Sequence, residues 1–110
     1  MNKIHYSHES SSDLDDIKRH ITEELNSPIA AKNTIAKILR KIRLLEKHAE
    51  LGAPLSPKVN FETNYRFLVS GSYLIFYRTD EADIFVIRII YGGRDYISIL
   101  FGDLESDYQQ

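Results

Sequence analysis

Residues 64–91 read NYRFLVSGSYLIFYRTDEADIFVIRIIY, and the fold turns on them. The stretch is rich in Tyr, Phe, Ile and Val, the residues that fit a pleated, half-buried surface, and it is broken by Ser70-Gly71-Ser72 and by Thr79 to Asp83. Three consecutive antiparallel strands follow from that punctuation. In the last of them Ile84, Val86, Arg88 and Ile90 alternate with Phe85, Ile87, Ile89 and Tyr91, so both faces are largely apolar. A strand of this kind belongs in the middle of a sheet with cover on both sides. It stops at Gly92-Gly93, followed by Arg94 and Asp95.

Upstream the apolar period lengthens. In SSSDLDDIKRHITEELNSP, residues 10–28, Leu14, Ile17, Ile21 and Leu25 form a helical stripe. Ser12 is the expected cap, Asp15 and Asp16 the acids of the first turn, and Asn26-Ser27-Pro28 the end. Pro28 also suits the start of a second helix, with Ser27 as its cap. Along that helix Ala31, Ile35, Ile38, Ile42, Leu45 and Ala49 share one face, and Leu39 widens it. Gly52 is the expected stop, and Pro54 and Pro57 keep the helix from resuming. The two helices predict a hairpin covering one face of the sheet. Something else must cover part of the other, and a partner protein is one candidate.

Residues 3–8, KIHYSH, predict a short first strand with Ile4 and Tyr6 on one side. The expected fold class is therefore α+β: a short N-terminal strand, an antiparallel helical hairpin, then a three-stranded antiparallel meander. At 110 residues, with 43% hydrophobic and 27% charged, residues 1–110 suit a single domain. The chain from about residue 102, ending in DYQQ, is expected to fray.

The chain has no cysteine, which removes disulfides, zinc fingers, iron–sulfur clusters and thiol nucleophiles from consideration. No apolar run approaches the roughly 20 residues that cross a bilayer, and the N-terminus turns acidic where a signal peptide would be apolar. A cytoplasmic protein with no membrane partner is expected. Charge is unevenly spread behind the net value of −2. In residues 28–60, Lys32, Lys37, Arg40, Lys41, Arg43, Lys47 and Lys58 face only Glu46 and Glu50, whereas Asp103, Glu105 and Asp107 make the last nine residues acidic. The basic middle helix could face nucleic acid or an acidic partner; a solvated helix face also accounts for it.

His5, His8, His20 and His48 are the histidines. His5-x-x-His8 is half a metal site with nothing to complete it, so no metal is expected. No nucleophile elbow, phosphate loop or dinucleotide fingerprint occurs. The residues of interest are Arg66, Arg78, Arg88 and Arg94 with Tyr65, Tyr73, Tyr77, Tyr91 and Tyr96, all on or beside the predicted sheet. A metal-free ribonuclease needs cations at the scissile phosphate and groups that move protons, and Arg and Tyr can supply parts of this. Packing explains the same residues, since tyrosines favour strands and arginine stems cover apolar surface. Asp95 beside Arg94 could equally be a local ion pair fixing the turn.

Tyr65-Arg66-Phe67 opening a strand, SYLIFYR as the next, VIRIIYGGRD as the third and the connecting loop LGAPLS together resemble the RelE/ParE superfamily of bacterial toxins, over roughly residues 3–101. The resemblance implies a cytoplasmic toxin of a type II toxin–antitoxin pair, without cofactor, held inactive by a cognate antitoxin. In the superfamily signature the strand ends in His-Gly-Arg-Arg-Asp; here Tyr91 stands at the histidine and Gly93 at the first arginine. That thinned cluster and the net acidity favour a ParE-like inhibitor of DNA gyrase. The alternative is RelE-like cleavage of mRNA on the ribosome, in which Arg66 and Arg94 would hold the phosphate and Tyr91 would move a proton or stack on a base. Arg78, Asp95 and Tyr96 are further functional candidates.

Overall fold

The computed structural model describes residues 1–102. The order is β1 (Lys3–Tyr6), α1 (His8–Leu25), α2 (Pro28–Arg43), a 3-10 turn (Leu44–Glu46), β2 (Ala53–Pro54), α3 (Ser56–Val59), β3 (Arg66–Ser70), β4 (Tyr73–Asp80), β5 (Asp83–Tyr91) and α4 (Tyr96–Phe101). The strands form one sheet in the order β1-β5-β4-β3-β2. β1 runs parallel to β5 and the remaining pairs are antiparallel. The α+β architecture, the helical hairpin and the three-strand meander are as expected from the sequence. β2, α3 and α4 are additions, and β1 makes the sheet mixed. The expected frayed tail falls on residues 103–110, outside the described residues.

Two helix boundaries differ from expectation. The cap of α1 is Ser7, whose hydroxyl accepts from the Ser10 N–H at 2.9 Å, so Ser12 lies inside the helix and Glu9 is the acid of the first turn. The strand sets this boundary: the Ser7 N–H donates to the Val86 carbonyl and its Oγ to that of Ile87, tying Ser7 to β5 where β1 ends. α2 begins as expected, with the Ser27 hydroxyl accepting from the Ala30 N–H. It ends at Arg43 and tightens into the 3-10 turn well before Gly52.

Gly52 has another task. Its N–H donates to the Tyr77 hydroxyl at 2.8 Å, and that hydroxyl donates to the Ala49 carbonyl at 2.9 Å. Tyr77 is fully buried, so these bonds satisfy the one polar atom its ring brings into the core. Burial raises the Tyr77 phenol above its ordinary 10.0, outweighing the lowering effects of the Gly52 hydrogen bond and of Arg66. Burial likewise raises Tyr6 and Tyr73. The unfolded chain therefore gives up these protons first as pH rises past 10, and the folded state loses stability from there upward through the raised values. Denaturant titration at pH 9, 10 and 11 is expected to show a flat, then falling, unfolding free energy. Tyr77→Phe should lower stability by about 1–3 kcal/mol at neutral pH, by orphaning the Gly52 N–H and Ala49 C=O, and should flatten the alkaline slope.

The hairpin packs Ile17, Ile21, Ala31, Ile38 and Ile42 against Leu68, Ile75, Tyr77, Ile84, Val86 and Ile89 of the sheet. On the opposite face Leu55 and Val59 of the β2–α3 segment cluster with Phe76 and Ile90, flanked by Tyr96, Ile99, Leu100 and Phe101 of α4. The second cover that β5 requires thus comes in part from the chain itself, and Phe85 and Ile87 remain half-buried beyond it.

Strict alternation along β5 is broken. Arg88 pairs with Phe76 and Val86 with Tyr77, so Ile87 is an extra residue in the ladder. This β-bulge shifts the side-chain parity by one, and Ile84, Val86 and Ile89 all join the helix-side core while Ile90 turns to the other face. The expected grouping of Ile84, Val86, Arg88 and Ile90 on one face fails for that reason. Past the bulge, Tyr91 is carried to the α1 side of the sheet, where it borders α1 residues.

Candidate functional site

The bulge has a second effect. β1 covers β5 only as far as Val86, leaving the edge of β5 beyond it without a strand. Side chains close it instead. Ser7 takes the Ile87 carbonyl, and Asp13 of α1 accepts the Ile89 N–H at 2.9 Å. The same Asp13 carboxylate receives two 2.8 Å bonds from Arg88, one from Nε and one from Nη2. This fork geometry fixes α1 against the sheet end, with both carboxylate oxygens engaged. The hydrogen bonds that Arg88 donates to Asp13 hold its guanidinium above its ordinary range despite burial.

Above that anchor lies a cavity of about 500 Å³, lined by Asp13, Asp16, Ile17, His20, Tyr73, Ile89, Ile90, Tyr91 and Arg94. Asp13, Asp16, Ile17 and His20 come from one side of α1 through helical spacing. Tyr73 opens β4 and Tyr91 closes β5, directly opposite each other in the register, with ring centroids 6.1 Å apart and planes at 72°. Burial, and then the neighbouring Tyr91, raise the Tyr73 phenol. Arg94 follows from a turn closed by its N–H on the Tyr91 carbonyl at 3.0 Å. A Cβ placed on Gly93 would come within 2.6 Å of the Tyr91 ring, so the glycine gives the tyrosine its position across the turn. The cavity therefore offers two phenols, an imidazole and a guanidinium. Asp13 is already satisfied by Arg88, and Asp16 is paired with exposed Arg19.

Of the residues of interest in the sequence, the structure brings Tyr73, Tyr91 and Arg94 together in this cavity. Arg66 pairs with Tyr77, four residues or about 13 Å along the sheet from the Tyr73–Tyr91 rung and two strands away. Its Nη1 donates to the Gly52 carbonyl at 2.7 Å, which fastens the loop before β2 to β3. Arg78 lies over the Phe85 ring at 4.3 Å, in a stack that continues to His5, itself 2.8 Å from Asp83. Asp95 makes no ion pair with Arg94 among the described residues; it caps α4, accepting from the Ser98 N–H and hydroxyl. Tyr96 packs on Phe76 at 5.3 Å in the second core. The site residues missing from the sequence reading are Asp13, Asp16 and His20. Their signal was the i, i+3, i+7 spacing, which sets them on one side of α1.

The sequence model described as the ParE toxin of type II toxin–antitoxin system, parDE, matches residues 4–96. The chain belongs to the ParE toxin family. Among solved structures, it is similar to a chain from the chromosomal ParDE toxin–antitoxin system of P. aeruginosa, at 21% identity and a TM-score of 0.69, over 83% of this chain and 96% of that one. At that identity the likeness speaks to the fold. No curated protein matches the sequence. Within the ParE fold, the departures from the superfamily signature have a physical reason: Tyr91 fills the space over position 93, and an arginine there would have to displace its ring.

Proposed function

We propose that the protein is a growth-inhibiting toxin that acts on DNA gyrase and is neutralised by a cognate antitoxin, with the Tyr73–Tyr91–Arg94 cavity as a contact surface for the target. Membership of the ParE family supports the toxin and the antitoxin partnership. The observation that carries the choice of target is the dispersal of the basic residues. Arg66 is committed to the Gly52 carbonyl, Arg88 to Asp13 and Arg78 to Phe85, so of these four arginines Arg94 is, among the described residues, the one left for an anionic group in the cavity. Phosphate cleavage without a metal depends on several cations converging on the transition state. A protein contact does not.

Purified protein is expected to block gyrase supercoiling and to leave mRNA intact on translating ribosomes. Arg94→Ala should weaken that inhibition about tenfold, the loss of one well-placed charged contact, without lowering the melting temperature. Cut mRNA with unimpaired supercoiling would reverse the assignment. The second reading, ribosome-dependent mRNA cleavage, draws on one observation: His20, Tyr91 and Arg94 share a cavity, and imidazole and phenol can both move protons. It predicts that His20→Gln and Tyr91→Phe abolish cleavage while leaving ribosome binding in place.

A further inference from the structure

Charge is divided between the two helices of the hairpin. α1 carries Glu9, Asp13, Asp15, Asp16, Glu23 and Glu24 against Lys18 and Arg19, whereas α2 carries Lys32, Lys37, Arg40, Lys41 and Arg43 and no acid. Lys37, Arg40, Lys41 and Leu44 recur at the spacing that shares one helix face, and with Val69, Ser70 and Gly71 they line a groove of about 540 Å³. Arg40 and Leu44 also border a second hollow of about 450 Å³, where Arg43, Lys47 and His48 join them. The basic surface therefore continues from Lys37 to Lys47, roughly 15 Å along the helix axis. Glu46 is the one acid lining it among the described residues. Lys37, Arg40, Lys41, Arg43 and Lys47 are all exposed, and none is in an ion pair among the described residues.

The helix dipole accounts for Arg40, Lys41 and Arg43 in the last turn, but its effect falls off within that turn. Lys37 precedes it and Lys47 lies beyond the helix, so the stripe calls for an anion. Protein interfaces are depleted in lysine and built around an apolar centre, whereas Leu44 and Val69 are the only large apolar side chains in this groove. Single-stranded nucleic acid is held on aromatic platforms, and no aromatic side chain lines the groove. A row of long, unpaired cations suits the backbone of a duplex, where each strand presents a phosphate about every 3.4 Å of axis, or about four along the stripe.

The groove and the Tyr73–Tyr91 cavity flank one rung of the sheet. Ser70 of β3 pairs with Tyr73 of β4, and Tyr73 with Tyr91 of β5. Neighbouring strands lie about 4.8 Å apart, so Ser70 at the groove and Tyr91 at the cavity are about 10 Å from each other. We propose that the outer face of α2 grips the backbone of duplex DNA while the Tyr73–Tyr91–Arg94 cavity engages the target. The choice of DNA as the polyanion rests on the gyrase reading, since gyrase holds a duplex of its own. Lys37, Arg40, Lys41, Arg43 and Lys47 neutralise roughly three to five phosphates between them, and the grip is independent of base sequence.

Fluorescence anisotropy of a labelled duplex of about 20 base pairs, with the purified full chain and no gyrase, should give a Kd on the order of 10 µM at about 50 mM salt. The slope of log K against log salt should lie between roughly −3 and −5. Lys37→Gln with Lys41→Gln should weaken binding about tenfold or more and make that slope shallower by about two. Lys3→Gln with Lys18→Gln, which removes the same charge from β1 and α1, should leave the affinity within about twofold. Gln matches Lys in helix propensity, so all three chains should melt alike. No duplex binding at about 50 mM salt, or equal losses in the two double variants, would overturn the proposal. So would a deca-glutamate peptide bound as tightly as the duplex, which gives the groove to an acidic polypeptide. Supercoiling assays separate this inference from the choice of target. The Lys37/Lys41 variant should need about tenfold more protein than wild type to block gyrase. If both block it at the same concentration, the α2 contact is overturned and the gyrase reading stands. If the duplex binds through Lys37 and Lys41 while neither chain blocks supercoiling, gyrase is removed as the target and the α2 face is upheld.

Discussion

Asp13→Ala should lower the unfolding free energy by about 3 kcal/mol or more, and the melting temperature by roughly 10–15 °C. The carboxylate side chain is 10% exposed and holds three donors, the Arg88 Nε and Nη2 and the Ile89 N–H. Removing it strands a guanidinium whose side chain is only 24% exposed, and leaves a backbone N–H without a partner at the bulge. The effect should exceed that of Arg88→Met, because the carboxylate left by that substitution still accepts the Ile89 N–H. Replacing both partners with apolar residues, Asp13→Leu with Arg88→Met, should recover part of the loss, since no charge then remains to be desolvated. Thermal unfolding of the three variants checks the order. An Asp13→Ala protein within about 0.5 kcal/mol of wild type would show that water enters this corner and takes over the role of the carboxylate. The same anchor sets the floor of the Tyr91–Arg94 cavity, so an Asp13 variant that still folds should also change the contact between α1 and Tyr91.

The contrast between Asp13 and Arg94 shows what was legible in the sequence. The hairpin and meander were readable because their signals are periodic and local: apolar spacing in α2, and Gly71-Ser72 between β3 and β4, with Gly71 at a φ of +58°. The GGRD end was readable as a corner because it resembles a signature. Asp13 was not, since an acid near a helix start reads as a dipole partner, and its true partners lie 75 and 76 residues away. The bulge was hidden for a related reason. Ile87 sits in a run of apolar residues that alternates equally well with or without it, so only pairing to Phe76 and Tyr77 reveals the shift. α4 was missed because six residues carry little periodicity, and its apolar face is defined by the second core it covers. Convergence of Arg66 with Arg94 belonged to the mRNA-cleavage alternative that the resemblance implied; strand register, which composition does not contain, keeps them apart.

Gly52→Ala is expected to be the second large effect, about 3 kcal/mol, although it adds a single methyl group. A Cβ at that position would lie 2.7 Å from the Phe67 carbonyl oxygen, 2.7 Å from Tyr77 Cε1 and 2.8 Å from the Tyr77 hydroxyl. Each is inside van der Waals contact, and neither the β3 backbone nor a fully buried ring can retreat cheaply. The loop must move instead. That would break the Gly52 N–H bond to Tyr77 and the Arg66 bond to the Gly52 carbonyl together, releasing β2 from β3. Tyr77→Phe removes one of the three clashes, so the double variant should be more stable than the sum of the single losses predicts. Arg66→Ala should instead cost about 1–2 kcal/mol, the loss of one charged hydrogen bond to a carbonyl. If Arg66→Ala leaves stability unchanged and abolishes growth inhibition, Arg66 acts on the target rather than on the loop. If stability and inhibition fall together, and Gly52→Ala reproduces both, Arg66 is the fastening that its geometry describes.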